Sequence, residues 1–184
     1  MRRVAIVTVL SGALAAGVLA AGPAAQAAET KPADKLGKEV TSTSQQPISK
    51  KQLISEAQSM GQPLTAKEKA SVQAATYCRT IQYTRGRKAS NGKWIIAVTS
   101  RLYWCYNGYS VRSYRANLKA YTYNKYKWVW KGWAVKKATH PSNWAYVTTY
   151  AQGAFYYTGN RHTYKPYIIL RGYRNGAYKW KVGG

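Results

Sequence analysis

Acidic residues are missing from most of this chain. The 184-residue sequence contains five acids, and all of them precede residue 70: Glu29, Asp34, Glu39, Glu56 and Glu68. The 115 residues from 70 to 184 therefore offer no carboxylate nucleophile, general base or hard-cation ligand. The same stretch carries 20 Lys and Arg. Its composition favours a binding protein over an enzyme, with an anionic partner and no cofactor.

Long apolar runs are also scarce, and the only one opens the chain. A short basic leader precedes an apolar stretch over 4–21, and a small-x-small pattern follows at 25–27. This order is typical of a signal peptide over 1–27 that is cleaved between Ala27 and Ala28. The alternative is an uncleaved membrane anchor, but the run is rich in alanine and broken by glycine. We expect a secreted protein, extracellular or associated with the cell wall.

Cysteine occurs only twice, at Cys78 and Cys105. In an exported chain an isolated pair is typical of one disulfide, whereas a metal site or a catalytic thiol would need further partners. A two-residue turn at 91–92 pairs residues whose numbers sum to 183, as 78 and 105 do. This count places the cysteines at a hydrogen-bonded pair, with Cα atoms about 5.5 Å apart. A bulge near Gly86 would change the register without breaking the disulfide.

Aromatic residues are absent from 28–75. Residues 28–47 are rich in Thr, Ser, Gln, Lys and Pro, which predicts a flexible leader. Two capping-box patterns then predict two short helices, over about 50–60 and 66–75. Helices of this length need a partner to pack against. The segment 48–75 is therefore either a helical part of the fold or a removable pro-region.

The remaining segment, 76–184, holds all 7 Trp, all 17 Tyr and the single Phe. Asn-Gly or its reverse recurs four times between β-forming runs, which is a strong hairpin signal. With two-residue turns, Trp104 would pair with Val111 and Ile169 with Val182. We predict a mainly β protein, a small antiparallel sandwich or barrel of about seven strands with one disulfide. The candidate strands are 76–84, 93–106, 109–123, 127–137, 144–157, 162–171 and 177–182.

Two short segments carry a family resemblance. The sequences Trp-Cys-Tyr-Asn-Gly at 104–108 and Trp-Val-Trp-Lys-Gly at 128–132, with the cleavable leader, resemble small, tyrosine-rich secreted proteins of filamentous actinobacteria that have no assigned function. The resemblance covers short parts of the β-region. It implies secretion and a β-fold, and it implies no activity.

One segment interleaves aromatic and basic residues densely enough to suggest a binding surface. Tyrosine or tryptophan rings beside lysines can stack on sugars or single-stranded nucleic acid. Trp128 and Trp130 fall on one side of a predicted strand, and we interpret both as core. The candidate binding residues are Tyr121, Tyr123, Lys125, Tyr126, Lys127, Lys131, Trp133, Lys136 and Lys137.

These features predict a non-catalytic protein that binds anionic polymers or cell-envelope surfaces. The expected partners are teichoic acid, acidic polysaccharide, nucleic acid or an anionic membrane surface. Three alternatives remain. The charge could serve solubility alone. The protein could be a cationic antibacterial toxin of the bacteriocin type that acts on membranes. It could also be a metal-free ribonuclease that uses His140 and His162, although nothing in the sequence places these histidines together.

Overall fold

A computed structural model describes residues 36–123 and 126–184. The predicted signal peptide, its cleavage site at Ala27 and Ala28, and Lys125 lie outside the described residues. The described part contains nine strands and two helices. In chain order they are β1 (Lys38–Ile48), α1 (Lys50–Ser59), α2 (Ala66–Gln73), β2 (Tyr77–Lys88), β3 (Trp94–Tyr106), β4 (Val111–Thr122), β5 (Trp128–Thr139), β6 (Tyr146–Tyr157), β7 (His162–Tyr164), β8 (Tyr167–Tyr173) and β9 (Tyr178–Gly183).

The strands form two antiparallel sheets. Sheet A has the order β1-β2-β3-β4, and sheet B has the order β5-β6-β8-β9 with the short β7 paired to β6. The two sheets enclose one apolar core that includes the fully buried Trp104 and Phe155. A buried hydrogen bond of 3.0 Å between the hydroxyls of Ser100 and Thr149 joins the sheets across this core. The predicted mainly β class, with two short helices, is confirmed and the architecture is a sandwich.

The structure has two strands more than predicted. Residues 38–47, expected to be flexible, belong to β1, which pairs with β2 along its whole length. The polar composition of this segment was a poor guide to its structure, because main-chain hydrogen bonds hold an edge strand in place while most β1 side chains remain exposed. The predicted strand 162–171 is divided into β7 and β8 at Pro166, which has no N–H to donate to a ladder.

Both predicted helices form, and both begin with complete capping boxes at Ser49 and Thr65. Their apolar side chains pack on the outer side of sheet A and build a second, smaller core. Burial against the sheet explains how such short helices are ordered. This second core consists of Leu53, Ala57, Leu64, Val72, Ala75, Cys78, Tyr103 and Cys105.

The predicted disulfide is confirmed, with Cys78 directly opposite Cys105 in the β2–β3 ladder. Its presence is consistent with an oxidising, extracellular location. The expected pair type is wrong: the Cα atoms are 4.0 Å apart, which matches the closer, non-hydrogen-bonded class. The physical reason lies in the turn. The Ala89 N–H donates to the Lys93 carbonyl, so the turn contains three residues and not two, and a register shift follows at Arg87/Lys88.

Candidate functional site

The outer face of sheet B combines tyrosines with basic residues. Along β6 every second side chain is buried in the core, so the alternate residues point outward. The registers with β5, β8 and β9 extend this outward set across four strands. We call the resulting surface the tyrosine–cation face. It consists of Tyr146, Tyr150, Tyr156, Tyr167 and Tyr173 with Lys131, Lys137, Arg171, Lys179 and Lys181.

Two of these cations are held against tyrosine rings. The Arg171 guanidinium carbon lies 4.3 Å from the centroid of Tyr146, and its Nε donates to the Thr148 hydroxyl over 3.0 Å. The Lys131 ammonium lies 5.4 Å from the centroid of Tyr156. Cation–π contacts of this kind hold a charged group over a ring while its remaining donors stay free for a ligand.

The three acids in the described part of the chain are engaged with arginines of sheet A. Glu39 bonds Arg85 at 2.6 Å, Glu68 bonds Arg115 at 3.0 Å, and Glu56 lies 3.9 Å from Arg101. Each of these acids comes from the segment that precedes residue 70, in β1, α1 or α2. Among the residues that the structure describes, no acidic side chain lies on the tyrosine–cation face, because the three described carboxylates pair with arginines of sheet A.

These contacts also shift three pKa values. Burial, reinforced by the hydrogen bond to Glu56, raises the pKa of Tyr103 to about 12. Burial and the hydrogen bond to Glu39 likewise raise the pKa of Tyr164. Partial burial acts to raise the pKa of Glu68, but hydrogen bonds from Thr65 and the Arg115 guanidinium outweigh it and lower the pKa. All three groups lie on contacts between the N-terminal segment and the sandwich.

The structure divides the predicted binding residues among separate places. Lys131 and Lys137 belong to the tyrosine–cation face. Trp133 and Lys136 pair with core-facing residues of β6 and so lie on the other side of β5. The Lys136 ammonium lies 5.5 Å from the centroid of the Trp133 ring. The cause is a pair of register shifts in β5, which break the simple alternation. Of the remaining residues, Tyr121, Tyr123 and Tyr126 line a separate cavity, Lys127 is exposed in the turn before β5, and Lys125 is outside the described residues.

Trp128 is buried in the core, as predicted, and Trp130 is partly buried against it. The predicted binding residues did not include Arg171, Lys179, Lys181 or any of the five tyrosines of the face. A usable signal was present, because outward and inward positions alternate along β6 and three of its six outward positions, Tyr146, Tyr150 and Tyr156, are tyrosines.

The separate cavity holding Tyr121, Tyr123 and Tyr126 lies between the β2–β3 turn and the end of β4. It has a volume of about 310 Å³. The turn contributes Ala89, Asn91 and Lys93, and β3 contributes Trp94. Four aromatic rings and a lysine therefore surround one space.

The two histidines lie far apart. His140 stacks on Trp144 with centroids 3.5 Å apart, in a cleft of about 530 Å³ that also includes Arg112, Arg115 and Glu68. His162 pairs with Tyr157 at the opposite end of β6. The two ends of β6 are eleven residues apart, which is roughly 36 Å at about 3.3 Å per residue. The two-histidine arrangement considered for a ribonuclease is therefore not formed.

Among the residues that the structure describes, no three His, Cys, Asp or Glu side chains converge as metal ligands would. Within the same residues, no helix is long and apolar enough to cross a membrane.

Comparison with protein-family models, curated proteins and solved structures gives no match for this chain.

Proposed function

We propose that this protein is secreted and binds anionic polymers or anionic cell-envelope surfaces, without catalysis, through the tyrosine–cation face. The observation that supports this function is the composition of that face: five tyrosines and five basic residues on one sheet surface, with no acidic side chain. Teichoic acid, acidic polysaccharide and nucleic acid share the repeated negative charge that such a surface would attract.

The distribution of acidic residues favours binding of an external anion at this face. Like charges on one surface repel each other, which destabilises the folded state unless they are neutralised or used. On sheet A the N-terminal segment neutralises Arg85, Arg101 and Arg115. In the part of the chain that the structure describes, sheet B has no such counter-charge, so a bound polyanion would supply it. The N-terminal segment thus offsets three of the nine Lys and Arg on the strands of sheet A, while the basic residues of the tyrosine–cation face have no described acidic partner.

The dimensions of the face favour an extended ligand. Lys137, Tyr150, Ile169 and Lys181 form a row across four strands. Three strand spacings of about 4.8 Å separate the two lysines of this row by about 14 Å. A single phosphate or carboxylate cannot contact both, whereas a polymer can. The tyrosines add rigid rings that lose little conformational entropy when a sugar or base stacks on them.

Secretion is inferred from two features. The N-terminal sequence has the three parts of a signal peptide, and the disulfide requires an oxidising environment to persist. A cell wall that contains phosphate or uronate polymers would then be accessible to the protein. Edman sequencing of the protein recovered from culture medium should start at Ala28 if cleavage follows Ala27.

A salt series tests the binding function. Affinity for teichoic acid, heparin-like polysaccharide and single-stranded DNA should fall linearly with salt on logarithmic axes. Replacing two face lysines, Lys137→Gln and Lys181→Gln, should reduce the slope by about 1.4 to 1.8. The matched control removes two exposed helix lysines, Lys51→Gln and Lys69→Gln, and should leave the slope nearly unchanged. Equal effects of both pairs would show that net charge, and not the face, directs binding.

Two further outcomes would reject the proposal. Absence of binding to every polyanion at low salt would exclude a docking role for the face. Leakage of anionic vesicles at low protein concentration, without saturable polymer binding, would favour the toxin-like function.

A further inference from the structure

The aromatic cavity beside the β2–β3 turn is a second surface feature with an unassigned role. We propose that this cavity binds a single anionic sugar unit, such as a uronic acid residue of a polysaccharide. The proposal rests on the proposed function because it names the repeating unit of one polyanion class. It uses different residues from the tyrosine–cation face, so the two can be tested separately.

The exposure of the cavity walls indicates a ligand. Tyr121 is 48% exposed and Tyr123 is 38% exposed, and they are two of the few large hydrophobic side chains that the described part leaves so open. With Tyr126 and Trp94 they form a contiguous aromatic lining. Exposed apolar surface that is clustered, and not scattered, is typical of interaction sites.

Two main-chain hydrogen bonds order the backbone that carries the lining. The Tyr123 N–H donates to the Ile95 carbonyl over 2.7 Å, which attaches the end of β4 to β3. The Tyr126 N–H in turn donates to the Tyr123 carbonyl over 3.3 Å. A preformed wall reduces the ordering cost of binding.

Positive charge and hydrogen-bond donors border the same cavity. Lys93 lines it directly, and the Lys88 ammonium, which lines a different cavity, lies 4.7 Å from the centroid of Trp94. The Asn91 side-chain oxygen accepts from the Lys93 N–H, which leaves its amide nitrogen as a donor. These groups match the carboxylate and hydroxyls of an acidic sugar.

Ring geometry favours a sugar over a nucleobase. The Tyr123 and Tyr126 rings have centroids 5.5 Å apart and planes inclined by 43°, so they do not form a parallel slot for a flat base. A sugar ring is puckered, with C–H groups on its faces and hydroxyls at its edge, and tyrosine offers both an apolar face and a phenol hydroxyl. The volume of about 310 Å³ is at the lower end of small-molecule sites, which fits one or two rings.

Calorimetric titration with four probes tests this site: a uronic acid tetrasaccharide, a neutral glucose tetrasaccharide, inorganic polyphosphate and a thymidine tetranucleotide. The protein should bind the uronate at least about tenfold more tightly than the neutral sugar. Tyr123→Ala should weaken uronate binding about tenfold, the scale of one lost stacking contact, and change polyphosphate affinity less than about twofold. Tyr109→Ala, which removes an equally large tyrosine that is 83% exposed outside the cavity, should affect neither.

Unchanged uronate affinity in a folded Tyr123→Ala variant would overturn the site, as would preference for a thymidine tetranucleotide over the uronate. If Tyr123→Ala fails to fold, Lys93→Gln replaces it and should weaken uronate binding alone. Binding of polyphosphate without uronate would reject the cavity and keep the proposed function. Binding of uronate without polyphosphate would support the cavity and restrict the proposed function to acidic polysaccharide.

Discussion

Glu39 should be the acid whose loss costs the most stability. It lies on β1, where one carboxylate oxygen bonds Arg85 at 2.6 Å and the other accepts from the Tyr164 hydroxyl over 2.6 Å. The Arg87 guanidinium lies 4.9 Å from the Tyr164 centroid, so two arginines share this corner. Glu39→Gln keeps the size of the side chain but removes the charge that compensates them.

The expected loss can be worked from burial. A hydrogen bond to a charged group contributes about 1.5 to 3 kcal/mol, and Glu39 makes two. The Glu39 side chain is 37% exposed and that of Arg85 is 17% exposed, so solvent screening reduces the sum. We expect a loss of about 2 kcal/mol in the free energy of unfolding. For a domain of this size that corresponds to a melting temperature lower by roughly 4 to 8 °C.

Circular dichroism melts at neutral pH provide the measurement. Lys38→Gln, which removes an exposed charge from the same strand, serves as the control and should change the melting temperature by less than about 2 °C. The double variant Glu39→Gln with Arg85→Gln should be less destabilised than the sum of the single variants. A Glu39→Gln melt within about 1 °C of the wild type would refute the role assigned to this contact.

Two other substitutions test the core and the helix contact. A Cβ at Gly172 would lie 2.7 Å from the Trp104 ring, so Gly172→Ala should lower the free energy of unfolding in urea by about 1 to 3 kcal/mol. Adding Trp104→Phe should restore part of this lost stability. An unchanged urea midpoint in Gly172→Ala would contradict the close packing. The raised pKa of Tyr103, about 12 against 10 when unfolded, favours the protonated phenol in the fold. This stability is present below pH 10 and is lost as pH rises towards 12, so urea midpoints should fall more steeply for the wild type than for Tyr103→Phe; parallel curves would contradict this.

The strands and helices were predictable because their signals are local. Alternating aromatic and β-branched residues gave most strands within a few residues, and the Ser49 and Thr65 capping boxes located both helices. The registers of the paired strands were harder to predict. Ile168, and not Ile169, pairs with Val182, and Val111 pairs with Tyr106, and not with Trp104. In each case the Asn-Gly turn is longer than two residues, and a shift of one residue changes every pair.

The candidate site was only partly predictable, because a surface is defined by which strands become neighbours. Residues 121–137 are dense in tyrosine and lysine, but bulges in β5 place Trp133 and Lys137 on opposite sides. The face on sheet B instead joins residues from β5, β6, β8 and β9, which the topology brings together over 50 positions of sequence. Local density identified Lys131 and Lys137, and only the strand order could add the rest.

The bond between Glu39 and Tyr164 has a kinetic consequence. Its two residues are 125 positions apart in sequence, whereas the β2–β3 and β3–β4 ladders join immediate neighbours. During folding the hairpins of sheet A can form early, but the first strand cannot complete its contacts until the seventh has formed. Loop-closure entropy delays such distant contacts, which assigns the protein to the slow, millisecond-to-second class of β-sandwich folders. A nascent chain that emerges from its amino terminus must therefore wait for nearly its whole length before its first strand, already paired with β2, gains its contact with Tyr164.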